Sequence, residues 1–269
     1  SASGLRGLTT ATSIGNHENG SVAYSEHFYN PNTATANGTS YGITTAGCNY
    51  WYSFNNTLFM HLNTNNRSTA EHKLFMQNAI AENPDAVWKI VVLHHSMFSA
   101  AGHIMDETSI ERRDTLVPVL QELDVDVVLM GHDHVYVRTY MMDGLIPDTS
   151  NGVQSSVRNP SGILYVTANS ISGSKYYDVL EGYDFSYAAV IDQEYSTSFS
   201  YVTVSDNSFS ITTYRTEDLS IIDSFEIQKG VKAARSASRA ANPIMTTALF
   251  DSDLQAVKTD AAVSLDGKI

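Results

Sequence analysis

Between Trp51 and Thr64 (WYSFNNTLFMHLNT) apolar and polar residues alternate, interrupted by Asn55-Asn56. That period predicts two strands joined at the asparagines. Ser68-Thr69-Ala70-Glu71 fits a capping box, in which a serine side chain and a glutamate three residues on satisfy orphan amides, and predicts a helix over about 69–82 that ends at Asn83-Pro84. WKIVVLHHS (88–96) is continuously apolar until its histidines, as a strand covered on both faces of a parallel sheet must be. A second helix is expected from about Ser109 to Leu123, with Leu116, Val119, Leu120 and Leu123 on one face. The strand 125–130 follows. Strand, helix, strand, helix, strand in that order predicts right-handed crossovers and a largely parallel sheet. The carboxyl ends of such strands share one rim, where sites form. His94 and His132 both fall there, brought together by topology although distant in sequence.

On either side the pattern changes. Residues 1–14 read as the end of a connection, and 19–47, rich in Asn, Thr, Gly and Ser, as a long surface loop. Its aromatics Tyr24, Phe28, Tyr29 and Tyr41 either line an entrance or pack inward. After GILYVTANS (162–170), the stretch SFSYVTVSDNSFSITTYRTEDLSIIDSFEIQK alternates with period two, with Asp206-Asn207 at a turn, and predicts antiparallel hairpins. From about 230 that pattern is lost. The expected organisation is a domain over 1–228, with 229–269 an extension or a linker to a further domain.

Composition narrows the function. The 269 residues carry a formal charge of −13, which argues against nucleic acid or anionic membrane as partner. An anionic small substrate stays open, because a metal ion reverses the local field. No apolar run reaches the roughly 20 residues of a membrane span. The single cysteine, Cys48, excludes an internal disulfide framework and suits a small packed side chain beside Tyr50-Trp51-Tyr52. An acidic, cysteine-poor chain rich in Ser, Thr, Asn and Tyr suits a secreted or cell-surface protein.

Four segments carry chemistry. Gly15-Asn16-His17-Glu18 offers a sharp turn, a neutral oxygen ligand and a histidine able to bind or protonate an oxyanion, or else a plain Asn/Gly turn with a surface histidine. His94-His95 at a strand end reads as a site or as structural histidines. In Gly131-His132-Asp133-His134, extended backbone would point the two histidines to one side, towards one metal or two adjacent ones. Imidazole favours zinc, iron, manganese or copper over magnesium or calcium. Asp133 should then face away and support the ligands from behind. His103, in SAAGHIMDE, is either a site residue or a solvated loop histidine.

In this order, GNHE (15–18), VVLHHSMF (91–98) and GHDHVYVRT (131–139) resemble the motifs of the calcineurin-like metallophosphoesterase superfamily, in its purple acid phosphatase-like branch. GSKYY (173–177) and the last hairpins fit as well, so that the resemblance covers roughly residues 5–228. It implies an α/β fold, the α/β-β/α sandwich with mixed sheets, here lacking its first strands and helices. It also implies hydrolysis of a phosphoric ester by a binuclear metal centre and a metal-bound hydroxide. Asn16, His94 and His132 resemble ligands of one metal, and His134 a ligand of the other. His17 and His103 resemble the histidines that contact phosphate and assist the leaving alkoxide, with His95 as a further substrate contact. Val137 stands where plant-type enzymes usually carry Glu. The implied metals are iron, zinc or manganese, and the implied partner a small phosphate ester.

The family's remaining ligands, an Asp-x-His pair and a bridging aspartate, precede GNHE, whereas the first fourteen residues contain no Asp or Glu. Two cations about 3.5–4 Å apart need bridging negative charge, which one Asn and three His do not supply. The sequence therefore predicts a chain that alone is inactive and holds at most one metal, weakly, with the missing segment supplied by another polypeptide or absent. The alternatives are a phosphodiesterase or nucleotidase of the same superfamily, and a non-catalytic binding module that keeps the fold.

Overall fold

Asn55 adopts a left-handed conformation (φ 52°) and closes the predicted hairpin between β1 (Tyr50–Phe54) and β2 (Thr57–Leu62). This computed structural model describes residues 8–230, so the expected extension lies, beyond Lys229 and Gly230, outside the described residues. The loop expected over 19–47 is mostly exposed but contains one helical turn, α1 (Ala23–His27). Tyr24 of that turn is buried and donates its hydroxyl hydrogen to the Thr12 carbonyl at 3.0 Å, and Tyr41 is half-buried against the main core, so two of the four loop aromatics pack inward.

Helix α2 (Thr69–Glu82) begins at the predicted cap: Ser68 Oγ accepts the Glu71 amide at 3.3 Å. The reciprocal half of the capping box is not made. Asn66 Oδ1 takes the Ser68 amide at 2.8 Å, and the Glu71 carboxylate instead accepts the Gly42 amide, tying the preceding loop to the helix. Strand β3 (Trp88–Leu93) follows, then α3 (Glu107–Glu122) and β4 (Val127–Met130). Strands β2, β3 and β4 run parallel, as the element order requires.

Later segments complete the sheet: β5 (Tyr136–Thr139), β9 (Leu164–Thr167) and β10 (Ala188–Asp192). The order is β1-β2-β3-β4-β9-β5-β10, with β9 parallel to β4 and with β5 and β10 antiparallel to their neighbours. A two-stranded ribbon, β6 (Met142–Asp143) with β7 (Ile146–Pro147), lies between β5 and β9 in the chain. The predicted hairpins are β11 (Ser198–Val204), β12 (Ser208–Arg215) and β13 (Ile221–Gln228). Strand β8 (Ser156–Arg158) adds to β13 in parallel, making a second sheet of order β11-β12-β13-β8.

The large sheet has apolar residues on both faces, hence the continuous runs. On one face Leu58, Met60, Val91 and Val128 pack against Phe75, Met76 and Ala79 of α2 and Leu116, Val117 and Leu120 of α3. On the other, Phe59, Trp88, Ile90, Val127 and Leu129 meet Val202, Phe209, Ile211, Phe225 and Ile227 of the small sheet. The result is an α/β fold of helices, mixed sheet and antiparallel-rich sheet in layers. Among the described residues no helix is long and apolar enough to cross a membrane.

Candidate metal centre

The rim predicted from the strand order is real. β3 delivers His94 and β4 delivers Gly131, and the Gly131 amide donates to the His94 carbonyl at 3.0 Å, locking the two strand ends together. Asn16 arrives from the N-terminal loop, whose Gly15 carbonyl accepts from the Asn65 amide group at 2.9 Å. His94 Nε2 lies 2.8 Å from Asn16 Oδ1 and 3.1 Å from His132 Nδ1. That nitrogen carries at most one hydrogen, so donor atoms from three remote segments crowd around a single proton or cation.

The motif 131–134 departs from extended backbone. His132 and His134 have φ of 75° and 47°, and the Asp133 amide donates back to the Gly131 carbonyl at 2.9 Å. Left-handed non-glycine residues cost on the order of 1–3 kcal/mol each and collect at functional sites. The turn removes the two-residue period, so extended backbone is not what sets the directions of the two histidines. His132 stacks among His94, His95 and His103, with centroids 5.0, 4.9 and 4.5 Å away. His134 is buried against Tyr177 at 5.3 Å, its Nδ1 2.7 Å from the Lys175 carbonyl. Tyr177 in turn meets the His103 ring edge-on at 5.0 Å and so joins the two histidine groups.

His95 is held by Thr64, with Oγ1 2.8 Å from Nδ1. Burial, then the nearby Arg112 and the three neighbouring histidines, push its pKa far down, so the ring is neutral. His103 sits on a short 3-10 turn (Gly102–Met105), its Nδ1 donating to the Asp106 carboxylate at 3.0 Å. His17 is exposed and stays outside the cluster, with no side-chain hydrogen bond or ring contact to another described residue. The Asp133 carboxylate is fully buried, and it groups with His103 and His132 with donor atoms within 4.8 Å of one another. No motif pointed to Tyr177, Thr64 or Arg112 at this rim: Thr64 lay at the end of the predicted hairpin, Arg112 in the predicted second helix, and Tyr177 in GSKYY.

The sequence profile of the calcineurin-like phosphoesterases matches residues 5–136, the stretch that supplies Asn16, His94, His95, His103, His132 and His134. The chain is similar to that family over just under half of its length. Over 81 residues it is 35% identical to purple acid phosphatase 3 of Arabidopsis thaliana, covering 30% of this chain and 21% of the relative. Over 49 residues it is 43% identical to purple acid phosphatase 7 of the same plant, covering 18% of this chain and 14% of the relative. The fold is similar to that of a purple acid phosphatase from yellow lupin (Lupinus luteus) seeds, with a TM-score of 0.54 at 19% identity over 73% of this chain and 36% of that one. The chain thus spans well under half the length of each.

The donor set suits a transition metal. Imidazoles and one amide oxygen converge at hydrogen-bond distances, and the buried Asp133 carboxylate lies close to His132.

Proposed function

We propose that residues 1–228 form the catalytic domain of a metal-dependent phosphoric-ester hydrolase. The observation that carries this is the convergence of Asn16 Oδ1, His94 Nε2 and His132 Nδ1 within 2.8–3.1 Å at the rim of the sheet. Asn16, His94 and His132 would hold one ion and His134 a second beside it. An ion held by these residues would supply Lewis-acid chemistry for phosphate hydrolysis.

The chain's own residues do the rest. His95, neutral and fixed by Thr64, offers an N–H to a phosphate oxygen. His103, oriented by Asp106, and the exposed His17 stand ready to bind phosphate and to return a proton to the leaving alkoxide. Thr64 and Tyr177 hold the imidazoles in place on either side. One Asn and three His bring no charge against two dications, so the chain by itself takes up one ion weakly and turns over little ester. Iron, zinc and manganese are the ions that this set favours. Secretion or cell-surface residence belongs to the same proposal, and fractionation of the producing cells tests it.

Metal analysis with a phosphatase assay, on the chain alone and within its longest natural form, tests the function. In the latter, His132→Ala should remove metal and activity together. Full turnover with His132 replaced would sink the reading, and two tightly held ions in the chain alone would sink its charge argument. A non-catalytic module would bind metal and hydrolyse neither monoesters nor diesters.

A further inference from the structure

Lys175, Tyr176 and Tyr177 lie in a loop that hydrogen bonds fasten to the site. The Lys175 carbonyl is 2.7 Å from His134 Nδ1, and Gln193 Nε2 donates to the Tyr177 carbonyl at 2.5 Å and to the His134 carbonyl at 2.8 Å. Gly173, left-handed at φ 69°, turns the chain into this position, where a Cβ would stand 2.8 Å from Thr197 Cγ2 and 3.0 Å from the Tyr176 hydroxyl. The Tyr177 ring meets His103 edge-on at 5.0 Å and His134 at 5.3 Å. Over that ring, 4.4 Å from its centroid, stands Lys175 Nζ in a cation–π contact. The ammonium is thus one aromatic ring away from both imidazoles.

No carboxylate neutralises it there. Lys175 is exposed and makes no ion pair with a described residue. Asp178, the next acid along the chain, instead accepts the Tyr195 hydroxyl hydrogen at 2.6 Å. In a chain of formal charge −13, an unpaired ammonium held at the site inverts the local field and favours anions on that side. That side is the one marked by His103. With His103 returning the proton to the leaving oxygen, the group attached to that oxygen lies beside Tyr177 and Lys175.

We propose that Lys175, set on Tyr177, makes the site selective for phosphate esters whose leaving group carries a second negative charge. The inference rests on the hydrolase reading above and adds to it the charge of the substrate. Lysine is a point charge on a flexible stem, and the Tyr177 ring keeps that stem from swinging into solvent.

The test uses the metal-loaded protein in its longest natural form and two substrates, 4-carboxyphenyl phosphate and 4-carbamoylphenyl phosphate, alike in shape and one charge apart in the leaving group. The carboxylate should have about three- to fivefold the kcat/KM of the amide, as an exposed ion pair gives, and the advantage should fade towards about 1 M salt. Lys175→Met keeps the stem and removes the charge, so the ratio of the two kcat/KM values should fall to about one. Lys175→Arg should preserve it. Because the ratio compares two substrates on one protein, a general loss of metal or fold cancels from it. A ratio unchanged in Lys175→Met overturns the proposal. Equal kcat/KM for both substrates in the wild type also overturns it and leaves the hydrolase reading standing, whereas a wild type that hydrolyses neither defeats that reading and this inference with it.

Discussion

His61 on β2 is 4% exposed, its ring stacked on Tyr50 at 4.3 Å and its Nδ1 3.0 Å from Ser13 Oγ. Nε2 has no partner, and burial lowers the pKa to about 3 from 6.5. The folded ring therefore stays neutral where the unfolded one takes up a proton. Stability from this group is fully present above about pH 6.5 and is lost as pH falls towards 3, by several kcal/mol at about 1.4 kcal/mol per pKa unit. Denaturant titrations between pH 3 and 7 should show a shallower acid limb for His61→Phe than for wild type, and parallel curves would refute the assignment. At this scale the sequence was legible only where residue type sufficed. The meeting of His94 and His132 was legible, because strand ends converge whatever the loops do, whereas Asn16, on a loop, was picked out by its motif alone. The extended-backbone premise for residues 131–134 failed, because His132 and His134 take left-handed conformations that a period of two does not anticipate.

Whole elements were easier to read, since a period sampled over many residues survives local exceptions. The helix now observed at Thr69–Glu82 matches the predicted span, and Ser68→Ala should cost about 1 kcal/mol, measured as a lower melting temperature, through the loss of one cap bond. Helix α3 keeps its apolar face despite Pro118 within it. Proline there has no amide for the Asp114 carbonyl, so burial of Leu116, Val117 and Leu120 must outweigh the break. Because Pro118 is exposed, Pro118→Ala should raise the melting temperature, by on the order of 1 kcal/mol or more of stability, and a fall would show that the proline shapes the packing. The short strands β5, β6, β7, β8 and β10 left little trace in the sequence. Two to five residues give too few periods, and β5 reads as the tail of a histidine motif.

The pairing of the two sheets was the least legible level, because it rests on contacts between residues more than eighty positions apart. Arg138 on β5 is almost completely buried and forks onto Asp223 of β13, with Nε–Oδ2 2.6 Å and Nη2–Oδ1 3.2 Å. Tyr136 donates its hydroxyl hydrogen to the same carboxylate at 2.8 Å, and the guanidinium lies 4.3 Å from the centroid of the Phe225 ring. This polar bolt pins the small sheet beneath the strand that leads out of GHDH, and so it helps to fix where His132 and His134 emerge. Removing one partner strands the other charge in a dry interface, so Asp223→Ala should cost about 3–5 kcal/mol in chemical denaturation. Replacing both with apolar residues, Arg138→Met with Asp223→Leu, should recover most of that loss, because desolvation of the pair offsets most of its attraction. A double variant as unstable as Asp223→Ala would mean that the pair, beyond its own charge balance, sets the register between the sheets.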